Sequence, residues 1–133
     1  MFNFIKKLLG SKHDRDVKEY MPLVEKTNQF YGQYKSLSND QLRSKTLEFK
    51  DRISKHLEGI NSDLQKLHDA AMAEKDLGKK EAYFDQIDDL IKEKDKHLED
   101  ILKSILPEAF AVVKEVCYRF TNNETLEVST TDH

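Results

Sequence analysis

Tryptophan is absent from this 133-residue chain, cysteine occurs once, proline twice and glycine four times. Each shortage excludes something. A single cysteine, Cys117, cannot close an internal disulfide, so a disulfide-stapled secreted fold is excluded and a reducing, cytosolic setting is expected. No apolar run approaches the roughly 20 residues that a membrane-spanning helix needs. Gly10, Gly32, Gly59 and Gly78 all stand isolated, so the chain has no glycine-rich loop to cradle a phosphate. A strong excess of charge of one sign is missing as well. Against 25 Asp and Glu stand 22 Lys and Arg, a net charge of -3, and no RNP-like, zinc-finger or arginine-rich motif overrides that balance. Nucleic-acid binding is therefore not expected.

What the chain does have is charge in both signs, 35% of residues, beside 38% hydrophobic residues. That composition describes long solvated helices with narrow apolar stripes, and predicts an all-α fold with a thin core. The opening MFNFIKKLLG places Phe2, Phe4, Ile5, Leu8 and Leu9 on one broad side of a short helix, with Asn3, Lys6 and Lys7 over much of the remainder. It lacks the longer apolar core and cleavage site of a signal peptide. Gly10 and Ser11 end it. A second helical pattern covers 14–34, with Val17, Tyr20, Met21, Val24, Thr27, Tyr31 and Tyr34 at steps of three and four. Pro22 puts its start in question, because an interior proline removes a hydrogen bond, and a start near Tyr20 would remove the conflict.

The stretch LSNDQL, 37–42, predicts a helix start by itself: Ser38 and Gln41 form a capping box and Leu37 can staple to Leu42. The stripe that follows is Leu42, Thr46, Phe49, Ile53, Leu57, Ile60, Leu64, Leu67 and Ala71. Gly59 is tolerable within one long or gently broken helix. DLGKK, 76–80, reads as a turn with Gly78 at its tip, and a second stripe follows as Phe84, Ile87, Ile91, Leu98, Ile101 and Ile105, with Lys94 as a polar gap. Together these predict an extended antiparallel, coiled-coil-like hairpin whose feet lie close together. Leu106-Pro107 reads as the start of a last helix, with Pro107 at the first helical position, Glu108 at the positive end of the dipole, and Phe110, Val113, Val116, Cys117 and Phe120 as its buried stripe.

Catalytic chemistry is not visible. The carboxylates stand beside lysines on outward faces, and Cys117 reads as a small buried hydrophobe. His56, His68 and His97 lack the spacing and cysteine partners of a zinc site, so catalytic, cofactor-binding and metal-ligating residues are all read as none. The one candidate site is a membrane-binding segment, Phe2, Phe4, Ile5, Lys6, Lys7, Leu8, Leu9 and Lys12, in which apolar bulk coincides with positive charge in an otherwise acidic chain. Such a segment suits shallow attachment to anionic lipid; packing on its own domain or on a partner is the competing reading.

Taken together, LSNDQLRSKTLEFKDRI and LPEAFAVVKEVCYRF resemble the amino-terminal end of SecA, the ATPase motor subunit of the bacterial preprotein translocase. The resemblance covers residues 1–58 and 105–133, in the family's order. It implies four parts: an amphipathic segment at 1–12, amino-terminal motor helices at 13–58, an inserted helical hairpin at 59–104, and the truncated start of the first nucleotide-binding domain at 105–133, where LPEAFAVVKEV packs in a helicase-like α/β core. It implies, for the parent, ATP and magnesium as cofactors, preproteins and a SecY-type channel as partners, contacts to acidic lipid and to a second copy, and a cytoplasmic protein peripheral to the inner face of the cytoplasmic membrane. The family's GEGKT phosphate loop and acidic motif have no counterpart in this sequence. The alternative is a free-standing helical binding module without ATPase activity; a GEGKT-containing continuation in the gene would separate the two.

Overall fold

A computed structural model of the chain describes residues 11–125, and within them every regular element is helical. Helix α1 is Lys12–Tyr34, α2 is Asn39–Ala73 and α3 is Leu77–Asn122. The all-α expectation is met.

The helix ends follow from local chemistry. Ser11, in extended conformation, accepts from the Asp14 backbone N–H at 3.2 Å while the Asp14 carboxylate accepts from the Ser11 N–H at 2.7 Å, a capping box that starts α1. Pro22 does not move that start, because this cap and the turns around the proline hold the helix on both sides, and α1 runs through it. The expected box at the head of α2 is present. Gln41 N–H donates to Ser38 Oγ at 3.2 Å and Ser38 N–H to Gln41 Oε1 at 2.9 Å.

The α2–α3 connection is shorter and earlier than DLGKK suggests. Only Glu74–Asp76 is non-helical. Asp76 is the reason: its side chain accepts from the Lys79 N–H at 3.0 Å and its carbonyl from the Lys80 N–H at 3.0 Å, so the helix begins at Leu77 and Gly78 lies in its first turn. Pro107 likewise lies inside α3 and does not start a helix. The 46-residue α3 absorbs one missing N–H where two separate helices would expose two further sets of terminal groups.

The chain divides into two compact units, Met1–Leu42 with Pro107–His133, and Arg43–Leu106. In the second, Leu57, Ala71 and Ile105 are buried. Half-buried Phe49, Ile53, Ile60, Leu64 and Leu67 follow the α2 stripe as expected. Its α3 stripe is rotated from the expected one. Tyr83, Ile87, Leu90, Lys94, Leu98 and Ile101 are half-buried while Phe84 and Ile91 are exposed. Short i,i+3 and i,i+4 ion pairs such as Lys66–Asp63 and Lys103–Glu99 decorate the outside and contribute little. In the first unit, Tyr34, Leu42 and Ala111 form a buried nucleus with Phe30, Tyr31, Leu37, Val112 and Val116 packed on it.

Candidate functional site

The sequence-nominated segment Phe2, Phe4, Ile5, Lys6, Lys7, Leu8 and Leu9 lies outside the described residues. Lys12, its last member, is the first residue of α1 and is exposed. Among the described residues no group of three or more His, Cys, Asp or Glu is arranged to hold a metal ion. His56 and His97 do meet, with ring centroids 5.6 Å apart, and Glu93 stands 3.7 Å from His97 Nε2. No described helix is long and apolar enough to cross a membrane.

The polar site of the first unit was not foreseen. Two glutamates of α3, Glu108 and Glu115, are buried. Tyr34 Oη donates to Glu108 Oε2 at 3.2 Å. Glu115 is only 3% exposed; its Oε1 accepts from Arg119 Nε at 2.8 Å, one helical turn on. The same guanidinium donates from Nη1 to Asn39 Oδ1 at 2.7 Å, and from Nη2 to the Leu37 carbonyl at 2.7 Å and the Tyr34 carbonyl at 3.5 Å. A helix ends with carbonyls that lack intrahelical donors, and Arg119 supplies donors where α1 stops. One planar cation thus ties the end of α1, the first residue of α2 and the third helix together. Close by, Lys114 Nζ donates to Asn28 Oδ1 at 2.8 Å and stands 4.5 Å from the centre of the Tyr31 ring.

This arrangement can fix helices; it holds no group positioned to transform a substrate. Glu115 Oε2 is buried without a hydrogen-bond partner among the described residues. The sequence signal was Glu115-x-x-x-Arg119, an i,i+4 pair within an apolar stretch. A glutamate is expected to face outward unless a partner is known, so that pair alone does not mark a buried site.

With the glutamates inward, the apolar side of the same helix turns outward. Phe110 and Val113 are each 57% exposed, and Leu106, Cys117 and Phe120 are exposed with them. This corrects the expected buried stripe: of its five members only Val116 packs on the nucleus, and Cys117 is an exposed free thiol. Steps of four, three, four and three from Leu106 to Phe120 make the outward residues one continuous apolar seam.

Comparison with known proteins gives a consistent result. The family described as SecA DEAD-like domain matches residues 5–131. The chain is 39% identical over 133 residues to the protein translocase subunit SecA of Cytophaga hutchinsonii, covering 98% of this chain and 12% of that protein. It is 38% identical over 129 residues to the SecA subunit of Porphyromonas gingivalis and 40% identical over 129 residues to that of Phocaeicola vulgatus, in each case 97% of this chain and 12% of the relative. The chain therefore spans about 12% of the length of the curated relatives it matches. No solved structure matches it significantly.

Proposed function

Because the chain belongs to the SecA DEAD-like domain family, we propose that it serves as the amino-terminal part of an ATP-driven protein translocase subunit, contributing scaffold and membrane attachment. The observation that carries the scaffold role is the outward apolar seam of α3, Leu106, Phe110, Val113, Cys117 and Phe120. A single exposed apolar residue needs no explanation, but a seam of this length on one helix calls for a protein surface to cover it. In this reading the remainder of the motor supplies that surface, and also holds ATP and magnesium. Preproteins and a SecY-type channel are then partners of the whole subunit, working at the inner face of the cytoplasmic membrane.

Residues 59–104 form, in the same reading, a helical hairpin whose antiparallel arms pair through the α2 and α3 stripes. The His56–His97 ring contact supports this. Phe2, Phe4, Ile5, Leu8 and Leu9 attach to anionic lipid, with Lys6, Lys7 and Lys12 among the headgroups. Local positive charge in a chain of net charge -3 supports that assignment.

Two measurements test these roles. In trans, the chain should bind the Cytophaga hutchinsonii subunit lacking its matching segment, and Phe110→Asp should abolish binding; undiminished binding by the variant would refute the seam as the docking surface. In sedimentation with phosphatidylglycerol vesicles, the intact chain should bind in a salt-sensitive manner and a chain lacking residues 1–10 should not. Equal binding by both would refute the lipid role.

A further inference from the structure

Two exposed histidines meet within the second unit. His56 lies on α2 and His97 on α3, and their ring centres are 5.6 Å apart with the ring planes inclined at 57°. We propose that this pair is a two-histidine clasp for a divalent transition-metal ion of the zinc class, which ties α2 to α3 when it binds. The clasp stands on the second unit alone and is independent of the translocase reading.

The ring separation is what a shared ion needs. A zinc–nitrogen bond is about 2.0–2.1 Å, so two imidazoles on one tetrahedral ion have their ring centres about 5 Å apart. Both side chains are exposed, and a small rotation of either closes the remaining difference. The inclination helps too. The lone pair of a ring nitrogen lies in the ring plane, and inclined planes can aim two such pairs at one point where parallel stacked rings cannot. Neutral imidazole also selects the cation, since it suits zinc, copper and nickel, whereas magnesium and calcium take oxygen ligands.

Two protein ligands are fewer than the three or four of a structural or catalytic zinc site, in keeping with the lack of any three-residue cluster among the described residues. Water completes the shell. Glu93 Oε1 stands 3.7 Å from His97 Nε2, where its carboxylate can accept from a metal-bound water or from the ring N–H that does not face the ion. Beside His97, Asp89, Glu93 and Asp100 line an open cleft with Lys92 and Lys96, and Lys92 is already paired to Asp89 at 2.7 Å. The ion touches both rings only while α2 and α3 stand side by side at these residues. Binding therefore stabilises that pairing by linkage, and makes the rigidity of the second unit depend on metal supply.

Titration calorimetry with zinc chloride tests the clasp in the full chain carrying Cys117→Ser, which removes the only thiol. One zinc ion should bind per chain. His56→Ala and His97→Ala should each weaken it about a hundredfold, because losing either ring turns a chelate into a single ligand. His68→Ala, at an exposed position of α2, should leave it unchanged. Zinc should raise the melting temperature of the parent and of His68→Ala, and should not raise that of the His56 or His97 variant, each checked for helical content by circular dichroism. With copper(II) in place of zinc, paramagnetic resonance of the chain with both histidines intact should show coupling to two imidazole nitrogens. No zinc binding at millimolar concentration, binding indifferent to either substitution, or coupling to a single nitrogen would overturn the proposal and leave two solvated rings in contact.

Discussion

Arg119 Nη2 donates to the backbone carbonyl of Leu37 at 2.7 Å, so a side chain of the last helix holds the turn between the first two. Its Nε meanwhile neutralises Glu115, which is buried on α3. Removing a guanidinium from such a place leaves an unpaired buried carboxylate as well as lost hydrogen bonds. Arg119→Ala should therefore destabilise the chain by about 2–4 kcal/mol in urea unfolding. Arg119→Lys should recover little, since one ammonium cannot reach acceptors on three sides. Tyr34→Phe, which deletes one bond to Glu108, should cost about 1–2 kcal/mol. A loss below about 0.5 kcal/mol for Arg119→Ala, the range of ordinary surface substitutions, would show that the clamp is dispensable.

The α1 cap makes a prediction about pH. Backbone and side-chain hydrogen bonds from Ser11 hold the Asp14 carboxyl below its ordinary value of 3.8. A carboxyl depressed in the folded state contributes stability above its unfolded value, and that contribution is lost as pH falls through the folded value. Helicity at the start of α1 should therefore persist through neutral pH and decline only in the acid range below 3.8. Ser11→Ala should return the Asp14 titration, followed by carboxyl carbon NMR, toward its ordinary value. An unchanged titration would mean that the box does not persist in solution. Asp89 and Glu99, lowered by hydrogen bonds from Lys92 and Lys103, should titrate in the same direction.

Gly59 lies inside α2, and a methyl group added there would meet nothing within 4 Å. Gly59→Ala should stabilise the chain by about 1 kcal/mol, through helix propensity and a less disordered unfolded state. Thermal melts should rise by a few degrees. A fall would mean that helix propensity does not govern stability at this position.

Titration calorimetry with ATP and magnesium should give no binding to the isolated chain, because its four glycines are isolated and its sequence has no phosphate-binding loop motif. Micromolar binding would contradict the assignment of nucleotide chemistry to the remainder of the motor.

These residues also show what the sequence reveals and what it withholds. LSNDQL gave the start of α2 because every partner in a capping box lies within four residues. The α2 stripe was legible for the same reason, as a periodicity in adjacent turns. Ser11-x-x-Asp14 carries equally local information about the start of α1. The α3 register was harder, because Phe84 and Ile91 stand beside Tyr83 and Leu90, and either pair continues a three-four repeat. The end of α3 is turned the other way from the apolar stripe: Glu108 and Glu115 are buried while Phe110, Val113 and Phe120 are exposed. Its inward glutamates make sense only once Tyr34, Leu37 and Asn39 are brought near by the fold, and contacts across about 80 residues leave no periodic trace. The candidate membrane segment rests on apolar bulk beside positive charge, and all of it but Lys12 lies outside the described residues.

The most direct test exchanges this chain for the matching segment of the Cytophaga hutchinsonii translocase subunit, to which it is 39% identical, and measures ATP-dependent preprotein transport into membrane vesicles. The chimera should support transport, the same chimera carrying Phe110→Asp should lose it, and Lys18→Ser should leave it intact. A chimera that folds and hydrolyses ATP yet moves no preprotein, or one whose transport is indifferent to Phe110→Asp, would contradict the role proposed for this chain as the scaffold of a translocase motor.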